Sequence, residues 1–171
     1  MPCPALGGIA AGCGPNPGGL KPFLYVALKE DVETIPAPTT DTYNIATAVT
    51  MVTDKLPVKW ELDIDPGKLD IDTEGEGLSV SVSTKMEVFI PRLTAEIAKE
   101  VDAALGRELI LWTTDKNGKT RIIGDLEQGA FAAYKSSSGD KPASKNGTTI
   151  TLTLGGQTHA PYFYNAAIPT A

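Results

Sequence analysis

The 171-residue sequence predicts a mainly β fold: one β-sandwich or barrel domain that carries a single α-helix and an extended N-terminal arm. Three observations support this prediction. Several segments alternate apolar and polar residues, which is the period of a half-buried strand. Residues 91–106 instead repeat apolar residues every four positions, as an amphipathic helix does. Proline and glycine are concentrated in the first 22 residues, where they interrupt any regular element.

The N-terminal arm is predicted over residues 1–22 and the β domain over residues 23–171. Termini rich in glycine and proline fray unless a neighbouring structure holds them. The composition of residues 1–19 cannot build a local hydrophobic core. We therefore expect residues 1–19 to contact another protein chain.

The strands of the β domain are predicted from short apolar runs and from alternation. They cover residues 23–28, 44–54, 58–65, 68–73, 78–89, 108–114, 119–123, 130–134 and 148–154, and residues 161–164 close the core. Alternation is clearest in residues 78–89, where Leu78, Val80 and Val82 share one face and serines the other. The pair Asn117-Gly118 predicts a hairpin turn. Residues 136–146 are almost free of apolar side chains and are predicted to form a mobile, solvated loop.

The single helix is predicted within residues 91–106. Leu93, Ile97, Val101 and Leu105 recur on one side of it, and charged residues occupy the other side. A proline near the start and a glycine just past the end are the usual asymmetry of helix termini. We expect the four apolar side chains to be buried against the sheet.

The strongest charge pattern lies between residues 61 and 72. Carboxylates alternate there with leucine and isoleucine, and Pro66-Gly67-Lys68 provides the chemistry of a turn. The pattern predicts that residues 58–65 pair with residues 68–73 as a hairpin with one aliphatic and one acidic face. The candidate residues of the acidic face are Glu61, Asp63, Asp65, Asp70 and Asp72.

Like charges that face each other across a sheet destabilise it. A chain therefore keeps an acidic face only where water or a partner tolerates the charges. Two interpretations remain open. The face is a solvated outer surface, or it is a wall that faces a negatively charged molecule without binding it.

The composition argues against two classes of partner. A net charge of −6 with only three arginines disfavours binding of nucleic acid through its phosphates. No apolar run approaches the roughly 18 residues of a membrane span, so we expect no membrane contact from the monomer.

The sequence contains no pattern that would identify an enzyme or a cofactor site. A Ser-His-Asp triad would use the only histidine, His159, as its base. The sequence, however, contains no nucleophile elbow that would present the serine. The acidic alternation could be imagined as a calcium site, but calcium loops curve around the ion and strands do not. Cys3 and Cys13 are compatible with a small disulfide or with two free thiols. Together with His159 they offer three zinc ligands, where a structural site uses four.

The layout resembles the tail tube proteins of long-tailed phages, a plan that the type VI secretion tube protein shares. This sequence and the tail tube proteins share an N-terminal arm, an amphipathic hairpin, one helix between blocks of strands and a mobile loop. Short motifs are also similar to structural proteins in phages of Bacteroidetes. These motifs are Cys3, Cys13 and Gly18-Gly19-Leu20, then residues 115–119 (DKNGK) with Gly124, and finally Gly155-Gly156 with residues 160–164 (APYFY).

The resemblance implies a virion structural protein, made in the host cytoplasm and assembled into the phage tail. In that family, subunits form hexameric rings that stack into a tube, and arms bridge the rings. Hairpin strands of neighbouring subunits close an inner barrel. Carried over, residues 61–72 and 78–89 would be the hairpin strands, and their acidic and serine faces would line the lumen. DNA would pass without specific binding, because the wall repels its phosphates.

The same resemblance implies further partners, namely other tail and connector proteins. Two kinds of alternative to the tail tube remain open from the sequence. A head–tail connector, tail-terminator or decoration protein would share the virion context. A free-standing β-sandwich that acts as a binding or adhesion module would not.

Overall fold

The computed structural model describes residues 15–39, 42–65, 67–141 and 143–170. Strand residues make up 51% of the chain and helical residues 9%, so the predicted mainly β class is confirmed. In chain order, the described elements are β1 (Leu20–Leu28), a 3-10 turn (Lys29–Asp31), β2 (Val32–Thr34), β3 (Asn44–Ile45), β4 (Thr50–Met51), β5 (Val58–Glu61), β6 (Gly67–Glu76), β7 (Ser79–Pro91), α1 (Ala95–Ala104), β8 (Leu109–Asp115), β9 (Thr120–Ile123), β10 (Phe131–Ser137), β11 (Gly147–Gln157) and β12 (Phe163–Tyr164).

Two large sheets form a sandwich. A six-stranded sheet has the order β3-β12-β9-β8-β1-β5, and a four-stranded sheet has the order β10-β11-β7-β6. Strands β2 and β4 pair separately, and β12 with β3 is the parallel pair among antiparallel ones. One hydrophobic core combines Leu24 and Leu111 of the larger sheet with Met86 and Ile150 of the smaller sheet. The two sheets therefore share one interior.

The centre of the six-stranded sheet is buried on both faces. Its second face forms another core, in which Ile110, Trp112 and Ile122 pack with Tyr164 of β12. All residues of β8 from Leu109 to Thr114 are consequently buried. A strand buried on both sides explains why this segment reads as a continuous apolar run and not as an alternation.

The four-stranded sheet is buried on one face. In β7, Met86 and Val88 face the core, whereas Lys85 and Glu87 between them are exposed. The alternation predicted for this strand is confirmed over most of its length. Leu78 lies in the turn before the strand and is fully exposed, so it is not part of the buried face.

Helix α1 is shorter than predicted. It begins at Ala95, where the Thr94 hydroxyl accepts a hydrogen bond from Ile97 N at 3.3 Å and caps the helix. The buried side chains of the helix are Val101 and Ala104, and Ile97 is partly buried.

The expected burial of Leu93 and Leu105 is wrong, since these side chains are 43% and 38% exposed. Leu93 precedes the helix, because the chain is still finishing β7 at Pro91. Leu105 has already left the helix with a ψ of 135° and forms a bridge with Ala132. Periodicity placed both residues inside the helix, whereas the helix begins after Leu93 and ends before Leu105.

The predicted acidic hairpin is also wrong. Strand β5 pairs with β1 in the larger sheet, and β6 pairs with β7 in the smaller sheet. Between them the chain crosses the sandwich: Leu62 N donates to Pro22 O at 2.9 Å, and Asp63 N donates to Phe89 O at 3.0 Å. Leu62 is buried in the shared core and anchors this crossing. The real hairpin joins β6 to β7.

Other boundaries differ in smaller ways. The strand predicted over residues 44–54 is wrong, because it consists of β3 and β4 with an irregular stretch between. Within that stretch Val49 N donates to the Tyr164 hydroxyl at 3.1 Å, which replaces strand pairing. Strand β1 begins at Leu20, inside the range predicted as the arm. Residues 1–14, which include Cys3 and Cys13, lie outside the described residues. The predicted turn at Asn117-Gly118 is confirmed between β8 and β9.

Candidate functional site

The predicted acidic residues are distributed over three parts of the fold. Glu61 ends β5, Asp63 and Asp65 lie in the crossing between the sheets, and Asp70 and Asp72 lie on β6. They do not form the single face that the sequence predicted. The structure instead brings Asp70 and Asp72 together with glutamates of β6 and serines of β7.

The solvent side of the four-stranded sheet is named here the polar face. Strand alternation and register assign its members, because paired residues on neighbouring strands point to the same side. The polar face comprises Asp70, Asp72, Glu74 and Glu76 of β6, Ser79, Ser81, Ser83, Lys85 and Glu87 of β7, Thr149, Thr151 and Thr153 of β11, and Lys135 of β10.

The register of β6 and β7 shows how the sheet tolerates this charge. Asp72 pairs with Ser83, and Glu74 pairs with Ser81, so no carboxylate of β6 faces another carboxylate there. Ser83 also donates a hydrogen bond to Glu74 Oε1 at 3.2 Å. The like-charge repulsion expected from the sequence is avoided because the partner strand supplies hydroxyl groups.

Lysines partly neutralise the predicted acidic residues. Lys68 Nζ lies 2.7 Å from Asp70 Oδ2, and hydrogen bonding to Asp70 raises the pKa of Lys68. Lys145 and Lys116 lie 3.6 and 3.7 Å from the carboxylates of Asp63 and Asp65. Glu61 is paired with Lys59 at 3.6 Å. The acidity of the surface therefore comes mainly from β6 beyond Asp70.

The end of the β6–β7 hairpin projects from the sandwich. Residues 72–80, named here the ribbon, are all exposed, and β11 accompanies β7 only up to Val82. Leu78 and Val80 are 106% and 49% exposed on the ribbon. A two-stranded ribbon alone is marginally stable in water. Its apolar side chains therefore favour a surface that another molecule covers.

Two strands form the edges of the four-stranded sheet. Within the described ranges, strand β6 pairs on one side only, with β7. Strand β10 pairs with β11, and over the described residues its other side makes one bridge, between Ala132 and Leu105. Free edges present unpaired backbone groups that another strand can meet.

The two edges differ in charge. Strand β6 carries four carboxylates and one lysine. Strand β10 carries Lys135, and the loop after it carries Lys141 and Lys145 against one carboxylate, Asp140. Neither Asp72 nor Lys135 makes an ion pair within the described part of the chain. One edge is therefore negative and the opposite edge positive.

His159 is placed by local contacts. Its ring stacks on Tyr162 at 4.2 Å between centroids, and Nδ1 lies 2.9 Å from the Ala160 carbonyl oxygen. Among the described residues, no three His, Cys, Asp or Glu side chains are grouped so that they could hold a metal ion. In the same ranges, helix α1 is too short and too polar to cross a membrane.

The sequence prediction assigned Asp70, Asp72 and the serines of β7 to outward faces, but it did not group them with the other members of the polar face. Alternation assigns each residue to a face, yet the basic partner edge on β10 belongs to a strand far away in the chain. Fold and surface together define a mainly β, sandwich-like domain with one open sheet face. A comparison with known proteins finds no matching family, no matching curated sequence and no matching solved structure.

Proposed function

We propose that this protein is a tail tube subunit of a long-tailed phage, a virion structural protein whose rings stack into a DNA-conducting tube. The observation that carries the proposal is the four-stranded sheet, which in the described part of the chain has one polar face and two edge strands of opposite charge. Such a sheet can be extended by a second copy, when β6 of one subunit meets β10 of the next. In this proposal the protein acts as a structural subunit and not as an enzyme.

Edge-to-edge contact between different strands is a heterologous interface, which closes into a ring when the rotation between subunits permits. Backbone hydrogen bonds would provide affinity, and the opposite charges of the two edges would select this pairing over β6 with β6. Six subunits, the number that the resemblance implies, would close a barrel of about 24 strands. Barrels of 16–18 strands already leave an aqueous channel, so the lumen would be wide.

The polar face would line this lumen. Its hydroxyl and carboxylate groups are well suited to a wall along which DNA moves without binding, because like charges repel and serine and threonine remain hydrated. The predicted lumen residues Asp70 and Asp72 belong to this face. Glu61, on the other sheet, does not, and Asp63 and Asp65 would lie at the rim of the face, where the chain crosses between sheets. The ribbon would contact a neighbouring subunit through Leu78 and Val80.

A charge swap tests the edge-to-edge contact. Lys135→Asp should weaken each interface by about 0.5–1 kcal/mol, since it places like charges across the junction. Combining it with Asp72→Lys should restore assembly. Light scattering at increasing protein concentration measures the size of the assemblies, and negative-stain imaging shows their shape. Lys99→Glu on the exposed side of α1 is the matched control and should leave assembly unchanged.

The images also separate the alternatives. Stacked rings support the tail tube, whereas single closed rings that do not stack would identify a connector or terminator instead. A monomer at every concentration, with no effect of the swap, would exclude a ring and leave a free-standing binding module.

The charge of the lumen is tested separately with assembled tubes of the wild type and of the triple variant Asp70→Lys/Asp72→Lys/Lys135→Asp, in which the two edges keep opposite charges. Labelled duplex DNA should bind the triple variant and not the wild type, because lysines neutralise phosphates and release counterions. Fluorescence anisotropy should show that this binding falls as the salt concentration rises. Equal DNA binding by both proteins would place β6 outside the lumen.

A further inference from the structure

A cavity of about 380 Å³ opens between the two sheets at the end where the ribbon leaves the sandwich. Its apolar walls include Ile35, Ile45 and Leu154. The volume is within the range of small-ligand sites in proteins. The cavity is separate from the sheet edges on which the proposed ring depends.

One polar group in the wall has no partner. Thr84 on β7 lines the cavity and is 1% exposed, and its hydroxyl makes no hydrogen bond with the described residues. A buried hydroxyl without a partner costs free energy, so native proteins seldom keep one without a reason. Thr84 also interrupts an otherwise apolar series on the core side of β7, between Val82 and Met86.

A chain of hydrogen bonds joins the other polar groups of the cavity. Asp125 Oδ1 accepts from Gln128 N at 2.7 Å, and Gln157 Nε2 donates to Gln128 Oε1 at 2.8 Å. This arrangement leaves the second oxygen of Asp125 and the side-chain oxygen of Gln157 as acceptors. Gln157 is 9% exposed, so its oxygen faces little water.

The cavity is rich in acceptors and poor in positive charge. His159 lines it, and in the tautomer whose Nδ1 donates to the Ala160 carbonyl oxygen, Nε2 is an acceptor. Burial, and then the nearby carboxylate of Asp125, raises the pKa of Tyr162 in the same wall. In the described ranges, the lining includes the carboxylates of Asp125 and Glu127 and contains no lysine or arginine.

We propose that this cavity binds a protonated primary amine on an aliphatic stem. The ammonium group has three donors and no acceptor, which matches Asp125, Gln157 and Thr84. The aliphatic stem would pack on Ile45 and Leu154. Two sources carry this chemistry, a free alkylamine and a lysine side chain of a second copy of the chain.

The test is a titration of the full chain with n-butylamine hydrochloride, with n-butanol as the uncharged comparison. The side-chain NH₂ signals of Gln128 and Gln157 in ¹H–¹⁵N spectra should shift with the amine and not with the alcohol. Asp125→Asn keeps the loop hydrogen bonds and removes the charge, and it should weaken binding about tenfold or more. Asp115→Asn, which alters another turn-capping aspartate, is the matched control and should bind as the wild type does.

Thr84 gives an independent readout. Thr84→Val should melt at a higher temperature without ligand, since it removes the unpartnered hydroxyl, and should bind the amine more weakly. Thr84→Ser should keep the binding, and Thr153→Val on the polar face should change neither property. Equal shifts with n-butanol, no shift with the amine, or unchanged affinity in Asp125→Asn would each overturn the proposal.

Light scattering distinguishes the two sources. If the amine is a lysine of a second copy, saturating n-butylamine and Asp125→Asn should both reduce the size of the assembly. If the size stays constant while the amine binds, the ligand is a free alkylamine. Failure of the edge charge swap would leave this result unaffected, because Asp72 and Lys135 do not line the cavity.

Discussion

The six-stranded and the four-stranded sheet use the same secondary structure in opposite ways. The larger sheet is covered on both faces at its centre, where Trp112 is fully buried. The smaller sheet is covered on one face and extends beyond the core as the ribbon. The larger sheet thus holds the fold together, whereas the smaller sheet keeps a polar face and two edges available for contact.

The largest expected effect tests the burial of the larger sheet. Trp112→Ala should reduce the free energy of unfolding by about 3–5 kcal/mol, because it removes a large buried side chain and leaves a cavity. Thr151→Ala on the polar face should stay within about 0.5 kcal/mol of the wild type. Urea denaturation followed by circular dichroism measures both. Similar losses in the two variants would mean that the polar face is packed against something.

A smaller effect is expected from the ribbon. Gly75 has a φ of +107°, and a Cβ at this position would lie 1.9 Å from the Ser79 carbonyl oxygen. Gly75→Ala should therefore strain the ribbon locally by about 1–3 kcal/mol and leave the core intact. Hydrogen exchange should become faster in residues 72–80 and remain unchanged in β8.

Gly77→Asn provides the control for the ribbon. Gly77 has a φ of +62°, which asparagine tolerates, and an added Cβ meets no atom within 4 Å. This variant should keep the exchange pattern of the wild type. A Gly75→Ala variant that unfolds as a whole would show that the ribbon supports the sandwich and does not merely project from it.

The smallest effect concerns the pH dependence of stability that arises from Glu108, the residue before β8 in the larger sheet. Hydrogen bonds from Lys29 and from Gly129 N lower the pKa of Glu108. The stabilisation is complete above the ordinary glutamate pKa of about 4.3 and is lost as the pH falls through the lowered value. The melting temperature of the wild type should therefore fall more steeply with decreasing pH than that of Glu108→Gln. Parallel curves would show that this ion pair contributes nothing measurable.

The sequence predicted what depends on neighbouring residues. The alternation of β7, the helix around Val101 and the turn at Asn117-Gly118 were recognised, because periodicity and turn preference act over a few residues. The ends of α1 were predicted less well. Thr94 begins the helix with its side-chain cap, which the spacing of apolar residues does not reveal.

The candidate site was only partly predictable. Asp70 and Asp72 were recognised as outward-facing residues, and the structure agrees. Lys135 was not recognised as part of the same face, because it belongs to the opposite edge of the sheet. Thr84 left a visible signal, a polar residue in an apolar series, that periodicity alone treats as an ordinary strand residue.

The amino-acid order determined by itself the kind of most segments and the face of most strand side chains, but not the exact ends of those segments. The partner of each strand was decided by the tertiary structure alone. Residues 58–65 and 68–73 look like the two halves of a hairpin, yet Leu62 is buried in the shared core and the chain crosses there from one sheet to the other. The physical reason is that side-chain alternation is a local property, whereas strand pairing depends on the burial of apolar surface between segments distant in sequence.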